Sequence, residues 1–487
     1  MNESDLENEP ADYQRIGLVL GPLIAVLVGV FLRPEGLPSQ AVFVAAVGLW
    51  MAIWWATEAI PVAITAFLPL TLFPILGVNS IQESAAPYAH PIIYLFFGGF
   101  VLALAIERCG LHRRIALKVF SLVGTNASHL VAGFMVSAAL VSMWISNTST
   151  TLMLLPIAVS VVTVISETMP DLKLRDRSNF GTALLLGLAY GATMGGVATL
   201  VGTPPNAFMV GFMADNYDVK IDFARWMLVG VPVTLVLLPI AWLWLTRIMY
   251  KVDFHASDQA MRHIATLSKG LGLMSTAERR TGILFSFLVA GWLLRGQLAS
   301  LPFLAQVTDT TIAMTAALAA FLIPSGKPGE ALMTWSDMSK LPWGVLILFG
   351  GGLSLASAIS SSGLALWIGE LLAPLGVLNL ALLVVAATAL VIFLTELTSN
   401  LATTATFLPV IAAIAVETGQ DPLIFVIPVT LAASCAFMLP VATPPNAIVF
   451  SSGHVSIPQM ARAGLFLNLI SVAVLSIVSL TLAPLIF

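Results

Sequence analysis

Apolar residues fill most of the chain in runs that are long enough to cross a lipid bilayer, and short polar stretches separate them. The runs lie at about 16–32, 41–56, 59–77, 91–107, 130–165, 179–213, 226–248, 282–294, 310–324, 341–374, 380–416, 422–450 and 463–487. A helix needs about 20 apolar residues to cross a bilayer. The pattern therefore predicts an all-α polytopic membrane protein with about 11 transmembrane helices and two re-entrant hairpins.

The composition limits the classes of protein that this chain can be. Of its 487 residues, 58% are hydrophobic and 9% are charged, whereas a soluble domain carries about 25% charged residues. So small a charged fraction cannot cover a water-facing surface, which excludes a soluble enzyme, a nucleic-acid binder and a disordered scaffold. The two cysteines, Cys109 and Cys435, exclude a disulfide framework and a thiolate metal site.

The N-terminus lacks the basic region of a signal peptide, because the first fifteen residues, MNESDLENEPADYQR, are acidic overall. We therefore predict a cytoplasmic N-terminal tail at 1–15 and a retained first transmembrane helix at 16–40. In this orientation 17 of the 21 basic residues lie on the cytoplasmic side, and the outer loops hold Arg33, Lys220, Arg225 and Arg295. That distribution satisfies the positive-inside rule and predicts a multi-pass protein of the plasma membrane, the inner membrane in a bacterium.

Two long apolar runs are interrupted near their middles by polar segments of similar sequence. Segment 142–151 reads SMWISNTSTT, and segment 395–404 reads TELTSNLATT. Two short arms that meet at a polar tip predict a re-entrant hairpin, because non-helical backbone at this depth persists only where it is buried in protein or lines a cavity. Hydroxyls, amides and helix N-termini at such tips suit an anion. The alternative is that these residues are only helix caps and turn formers.

Two further runs are broken by the tetrapeptide Thr-Pro-Pro-Asn, at 203–206 and at 443–446. A Pro-Pro pair ends one helix and suits the first turn of the next, so the carbonyls of Val201, Gly202 and Ala442 lose their helical partners. Free carbonyls and hydroxyls suit a hard cation such as Na⁺. The alternative is an ordinary proline kink.

These features recur in the same order in the two halves of the chain. Gly98 corresponds to Gly350, Ser146-Asn147 to Ser399-Asn400, and Thr203 to Thr443, at offsets of 252, 253 and 240 residues. We interpret this as an internal duplication, as in many secondary transporters. The predicted segments are a first inverted repeat at 41–250 with an inward-side hairpin at about 130–165, a cytoplasmic linker at 251–280, and a second inverted repeat at 281–487 with an outward-side hairpin at about 380–416.

The two polar hairpin segments, 142–151 and 395–404, and the two Thr-Pro-Pro-Asn segments, 203–206 and 443–446, contain no lysine or arginine. An anion would therefore be held by neutral donors, helix ends and bound Na⁺, which compensates its charge in a low-dielectric site. Glu58 and Glu396 are the notable carboxylates. We interpret Glu58 as a structural partner at a helix end and Glu396 as a residue at the hairpin mouth, and a proton-linked role is the alternative for either. Segment 109–120 is either an interfacial helix or a solvated basic loop.

The motifs resemble those of the divalent anion:sodium symporter (DASS) family, which includes the INDY-like sodium-coupled di- and tricarboxylate transporters. The resemblance extends from about Gly48 to the C-terminus and includes WWATEAIP at 54–61 and ASCAFMLPVATPPNA at 433–447. It implies at least two Na⁺ sites, the first from Ser142, Ser146, Asn147 and the Gly202 carbonyl, and the second from Thr395, Ser399, Asn400 and the Ala442 carbonyl. It implies substrate contacts from Ser146, Asn147, Thr148, Thr203, Ser399, Asn400, Thr443 and Pro444. It also implies a homodimer in which a transport domain moves like an elevator against a scaffold.

One departure from the family pattern concerns the substrate. The pattern is Ser-Asn-Thr in both hairpins, and the second copy here has Leu401 in place of the threonine. Ser142 and Thr395, at the expected sodium positions, favour a symporter. The sequence thus predicts sodium-coupled import of C4-dicarboxylates such as succinate, malate or fumarate. The alternatives are a sodium-independent dicarboxylate exchanger and a symporter for citrate or sulfate. An intramembrane enzyme is disfavoured, because no G-x-S-x-G or H-E-x-x-H motif occurs.

Overall fold

The structure is a computed structural model that describes residues 12–32, 34–120, 124–372, 374 and 378–487. These residues form helices and connecting turns, and within them the extended pairings are two isolated bridges, Asn126 with His255 and Pro324 with Ala331. Most of the predicted tail 1–15, and Arg33, lie outside the described residues. The predicted all-α fold class is confirmed.

The helices of the first half end near the predicted linker. They are α1 Asp12–Phe31, α2 Ser39–Thr57, α3 Val62–Thr65, α4 Leu68–Ile75, α5 Ile81–Ala85, α6 Pro91–Cys109, α7 Leu111–Phe120, α8 Ala127–Ser142, α9 Asn147–Thr168, α10 Leu174–Val197, α11 Pro204–Tyr217 and α12 Phe223–Leu243. A 3₁₀ turn, Ala86–Ala89, precedes α6, and a π-helical turn, Trp244–Met249, continues α12.

The second half follows the same plan. Its helices are α13 Asp258–Gly270, α14 Thr276–Leu293, α15 Arg295–Ala299, α16 Asp309–Leu322, α17 Trp343–Ser361, α18 Leu364–Leu372, α19 Leu380–Thr395, α20 Asn400–Glu417, α21 Pro422–Ser434, α22 Pro444–Ser451, α23 Ile457–Thr481 and α24 Ala483–Ile486. The 3₁₀ turns are Pro302–Leu304, Trp335–Lys340 and Pro440–Ala442. The predicted linker 251–280 contains α13, which packs against α7 and α9.

Nine helices of the described residues are long and apolar enough to cross a membrane. Five shorter apolar helices accompany them, and these include α8, α19 and α21. Large apolar side chains such as Leu235, Phe287 and Leu318 are exposed on the surface of the chain, where lipid would cover them. The number of about 11 crossings stays a prediction.

Both predicted hairpins are helix–turn–helix units whose arms contact each other. The first consists of α8 and α9, and the second of α19 and α20. The second arm of each hairpin packs against the broken helix of the other half: α9 contacts α22, and α20 contacts α11. This exchange brings the two tips to the same region of the molecule.

A second group of helices faces the hairpins across this region. Helix α6 packs against α14 and α16, and α17 packs against α2. Helix α17 also contacts α11 and α20. The space between the two groups is where the candidate site lies.

Candidate functional site

At the first tip, the hydroxyl at the end of one arm is hydrogen-bonded to the asparagine that begins the next. Helix α8 ends at Ser142 and α9 begins at Asn147, and the Ser142 hydroxyl donates to Asn147 Oδ1 at 2.5 Å. Ser146 is the N-cap of α9, where its hydroxyl accepts from the backbone N–H of Ser149 at 3.2 Å. The polar interruption in the sequence is therefore both a helix cap and a turn, as capping chemistry requires.

The second tip repeats this arrangement. Helix α19 ends at Thr395, whose hydroxyl lies 2.9 Å from Asn400 Oδ1 and 3.0 Å from the Ala433 carbonyl. Ser399 is the N-cap residue of α20, but its side chain makes no capping hydrogen bond. Both hydroxyl–asparagine pairs join residues five positions apart, so this pairing is the same in the two tips.

The break between α10 and α11 is fastened to the first tip. The Thr199 hydroxyl donates to the Met143 carbonyl at 2.5 Å and accepts from the backbone N–H of Gly202 at 3.1 Å. The Asn206 amide donates to the carbonyls of Val197 at 3.2 Å and Thr199 at 2.8 Å. The Asn206 amide thus donates to carbonyls that have lost their helical partners. The prolines before Asn206 begin the next helix.

Glycine at position 196 allows the predicted ligands of the first sodium site to approach one another. A Cβ on Gly196 would lie 2.5 Å from Asn147 Oδ1 and 3.0 Å from the Gly202 carbonyl oxygen. The Asn147 side-chain amide and the Gly202 carbonyl therefore face one small volume, and the Ser142 hydroxyl is bonded to the same Asn147 oxygen. This is a set of neutral oxygen donors, which suits Na⁺.

The break between α21 and α22 is held by a buried carboxylate. Glu396 is 3% exposed and accepts from three consecutive backbone N–H groups, those of Phe437 at 2.8 Å, Met438 at 2.9 Å and Leu439 at 2.9 Å. It also accepts from the Asn468 amide at 2.7 Å. The placement of Glu396 at the hairpin mouth is therefore wrong, because its side chain points into the protein and satisfies an unwound loop.

Direct contacts join the breaks of the two halves. Thr203 and Ser434 have their hydroxyl oxygens 3.3 Å apart, and the Tyr190 hydroxyl of α10 donates to the Phe437 carbonyl at 2.9 Å. In the second break, Asn446 donates to the carbonyls of Ala436 at 3.3 Å and Leu439 at 3.0 Å, as Asn206 does in the first. The two breaks therefore form one connected core.

A cavity of about 700 Å³ lies at this junction, a size typical of small-molecule sites. Its wall includes every residue that we predicted to contact substrate: Ser146, Asn147, Thr148, Thr203, Ser399, Asn400, Thr443 and Pro444. The predicted carbonyl ligands Gly202 and Ala442 also line it. Ser142 and Thr395 do not line it; they are fully buried behind the tips and contact the site through Asn147 and Asn400.

Two charged residues of the cavity wall, Glu107 and Lys340, were not identified from the sequence. Leu401 lines the cavity and is 4% exposed, so the missing hydroxyl is lost from the wall itself. Glu58, Glu107 and Lys340 are the charged residues among the described lining. Glu58 ends α2 in a left-handed conformation, φ 46°, as its predicted place at a helix end requires. A charge near the end of an apolar run was the available signal for Glu107.

Two broken helices and two hairpins of opposite halves around one cavity define a secondary transporter. The sequence matches the family described as "Sodium:sulfate symporter transmembrane region" over residues 15–487. The chain belongs to this family of sodium-coupled anion symporters, and the resemblance recognised from its motifs is confirmed.

Similar proteins cover nearly the whole chain. A Staphylococcus saprophyticus protein named sodium-dependent dicarboxylate transporter SdcS is 41% identical over 475 residues, 97% of this chain and 92% of that protein. Its namesake from Staphylococcus aureus strain USA300 is 39% identical over 478 residues, with the same coverage. The crystal structure of the Alcanivorax borkumensis YdaH transporter superimposes with a TM-score of 0.54 at 13% identity and covers 96% of both chains, which supports the fold alone.

Proposed function

We propose that the protein is a symporter that couples Na⁺ to the import of small dianions, C4-dicarboxylates such as succinate, malate and fumarate. The observation that carries this proposal is that each hairpin asparagine lines the cavity while its Oδ1 is bonded to a buried hydroxyl behind the tip. One side of the amide is available to a cation and the other to a carboxylate. The names of the staphylococcal relatives agree with this pairing of ions.

The electrostatics explain why the anion needs the cation. The hairpin and broken-helix segments supply hydroxyls, amides and the N-termini of α9 and α20, whose dipoles favour negative charge. Neutral donors alone leave a dianion poorly compensated in a low-dielectric site. In our proposal, Na⁺ held by Ser142, Ser146, Asn147 and the Gly202 carbonyl, and by Thr395, Ser399, Asn400 and the Ala442 carbonyl, supplies the missing charge.

Orientation, assembly and movement complete the proposal. The cavity wall includes Lys340, and Glu107 precedes the basic residues Arg108 and Arg113, all of which the charge distribution places towards the cytoplasm. We therefore interpret the structure as an inward-facing state with a cytoplasmic N-terminus. A homodimer and an elevator-type movement of the hairpin domain are the states that the family resemblance implies.

Uptake into proteoliposomes tests the function. Labelled succinate should accumulate when Na⁺ is present outside and should fall to background when choline or K⁺ replaces it. Parallel measurements with citrate and sulfate establish which anion the cavity accepts with Leu401 in its wall. Uptake that persists without Na⁺ and requires dicarboxylate inside would instead identify an exchanger.

The Gly196→Ala variant tests the first cation site. The new methyl group would occupy the space between Asn147 Oδ1 and the Gly202 carbonyl, and loss of one charged-group contact is worth roughly 1.5–3 kcal/mol. We expect the Na⁺ concentration for half-maximal uptake to rise by about tenfold or more. Gly48→Ala is the matched control, because a Cβ there meets the Leu355 side chain at an ordinary 3.5 Å. Equal sodium dependence in both variants would contradict the site.

A further inference from the structure

One basic residue, Lys340, stands in the wall of the cavity that holds the hairpin tips. Within the described lining the charged residues are Glu58, Glu107 and Lys340, and all three lie outside the hairpins and the broken helices. The cavity is therefore divided. Neutral donors lie on the side of the tips, and charges lie on the facing group of helices.

The position of Lys340 is fixed by its own segment. Lys340 ends the 3₁₀ turn whose Asp337 carboxylate accepts from the Thr334 hydroxyl at 2.7 Å. The Arg108 guanidinium lies 3.2 Å from Asp337 Oδ2 and 3.3 Å from Glu330 Oε2. The charge of Arg108 is thus engaged in holding this segment, whereas Lys340 forms no ion pair with any residue that the structure describes.

A second cavity of about 410 Å³ adjoins the first at the same place. The two share the lining residues Leu104, Glu107, Ser149 and Lys340, so these residues form a common rim between them. Lys340 is exposed and Glu107 is half-buried. A positive and a negative group therefore both line the boundary between the cavity at the tips and the second cavity.

We propose that Lys340 is a peripheral docking residue for one carboxylate of the transported anion, and that the negative charge of Glu107 weakens this docking by repelling the anion. This inference rests on the proposed function, because it concerns the path of the same dianion. A dianion that leaves the neutral donors at the tips meets the ammonium of Lys340 before it reaches bulk water. An exposed charge raises the local concentration of its counter-ion and is screened by salt. Lys340 therefore acts on entry and exit at this mouth and leaves both sodium sites unchanged.

Charge-neutralising variants of the two rim residues test the proposal through the sign of their effects. In inside-out membrane vesicles, where uptake starts at the cytoplasmic mouth, Lys340→Gln should raise the KM for the anion about two- to fivefold. Glu107→Gln should lower it, and Lys340→Arg should match the wild type. Lys327→Gln is the matched control, because Lys327 is exposed and lines neither cavity.

Two further readouts separate this role from a structural one. Raising the ionic strength at constant Na⁺ should raise the KM of the wild type and change that of Lys340→Gln less. Half-saturation by Na⁺ should stay the same in all four variants. An unchanged KM in Lys340→Gln, or shifts of the same sign in Lys340→Gln and Glu107→Gln, would overturn the docking site while the proposed function stands.

The wild type distinguishes the two proposals. Uptake of succinate, citrate and sulfate by the wild type is compared first. The KM of the Lys340 variants is then measured with the anion that is transported. Absence of sodium-dependent uptake for all three would contradict the proposed function. Calorimetric titration of the purified variants with the same three anions still tests the docking site in that case, since weaker binding to Lys340→Gln supports it and equal binding to all variants refutes it.

Discussion

Replacement of either hairpin asparagine should abolish transport without unfolding the protein. Asn147→Ala and Asn400→Ala each remove the amide that lines the cavity and the oxygen that pairs with Ser142 or Thr395. A lost contact to a charged group is worth roughly 1.5–3 kcal/mol. Because each amide contacts both an anion and a cation in our proposal, we expect sodium-dependent uptake to fall by about 100-fold or more.

The control variants for this experiment lie at the other ends of the same hairpins. Asn126 caps α8 and Asn379 caps α19, and each accepts from the backbone N–H two residues later. Their alanine variants should lose about 1 kcal/mol of stability and retain uptake. Thermal unfolding of the purified proteins measures the stability, and labelled-anion uptake measures the function. Near-normal uptake in Asn147→Ala or Asn400→Ala would refute the binding assignment.

Replacement of Glu396 should damage the fold itself. Glu396→Ala leaves the backbone N–H groups of Met438 and Leu439 and the Asn468 amide without their acceptor, and it leaves the Phe437 N–H with Asn468 Oδ1 alone, at 3.3 Å. Each buried unsatisfied donor costs about 1–3 kcal/mol, and the total is comparable with the stability of a typical domain, about 5–15 kcal/mol. We expect a large loss of folded protein and of thermal stability.

Graded variants separate the size of the side chain from its acceptors. Glu396→Gln keeps one acceptor oxygen but turns an amide NH₂ towards the donors. Its thermal stability should therefore lie between that of Glu396→Ala and that of the wild type. Glu167→Ala at the exposed end of α9 is the control and should unfold as the wild type does. Fluorescence-detected gel filtration over a temperature series measures all four proteins. A wild-type profile for Glu396→Ala would show that the loop is held by other contacts.

The breaks in the helices could be predicted from sequence because local chemistry fixes them. Ser146 caps the second arm of the first hairpin, Ser399 occupies the same position in the second hairpin, and Pro204 and Pro444 begin the half-helices, as capping and proline rules indicate. The repeated order of these features predicted an internal duplication, and in transporters built from such repeats the binding site lies at the interface between the repeats, where the structure has its cavity. The residues that the family resemblance adds to the substrate site all line that cavity.

The remaining features depend on contacts between distant segments. Nothing near Glu396 in the chain indicates that three N–H groups some forty residues later will converge on it, since the loop at 437–439 carries no complementary charge. Lys340 and Glu107 reach the cavity only because the facing helices pack against the hairpins. Ser142 and Thr395 lie behind the asparagines, a depth that the linear motif does not specify.

The exchange of helices between the two halves constrains how a carrier of this kind works. Each tip rests on the other half, and Thr203 with Ser434 and Tyr190 with Phe437 close the seam between them. If one tip moved while the other stayed in place, these buried contacts would break. If the two sodium sites and the anion site lie where we propose, both cations and the anion move together in one rigid unit, and their coupling follows from the packing of the two halves.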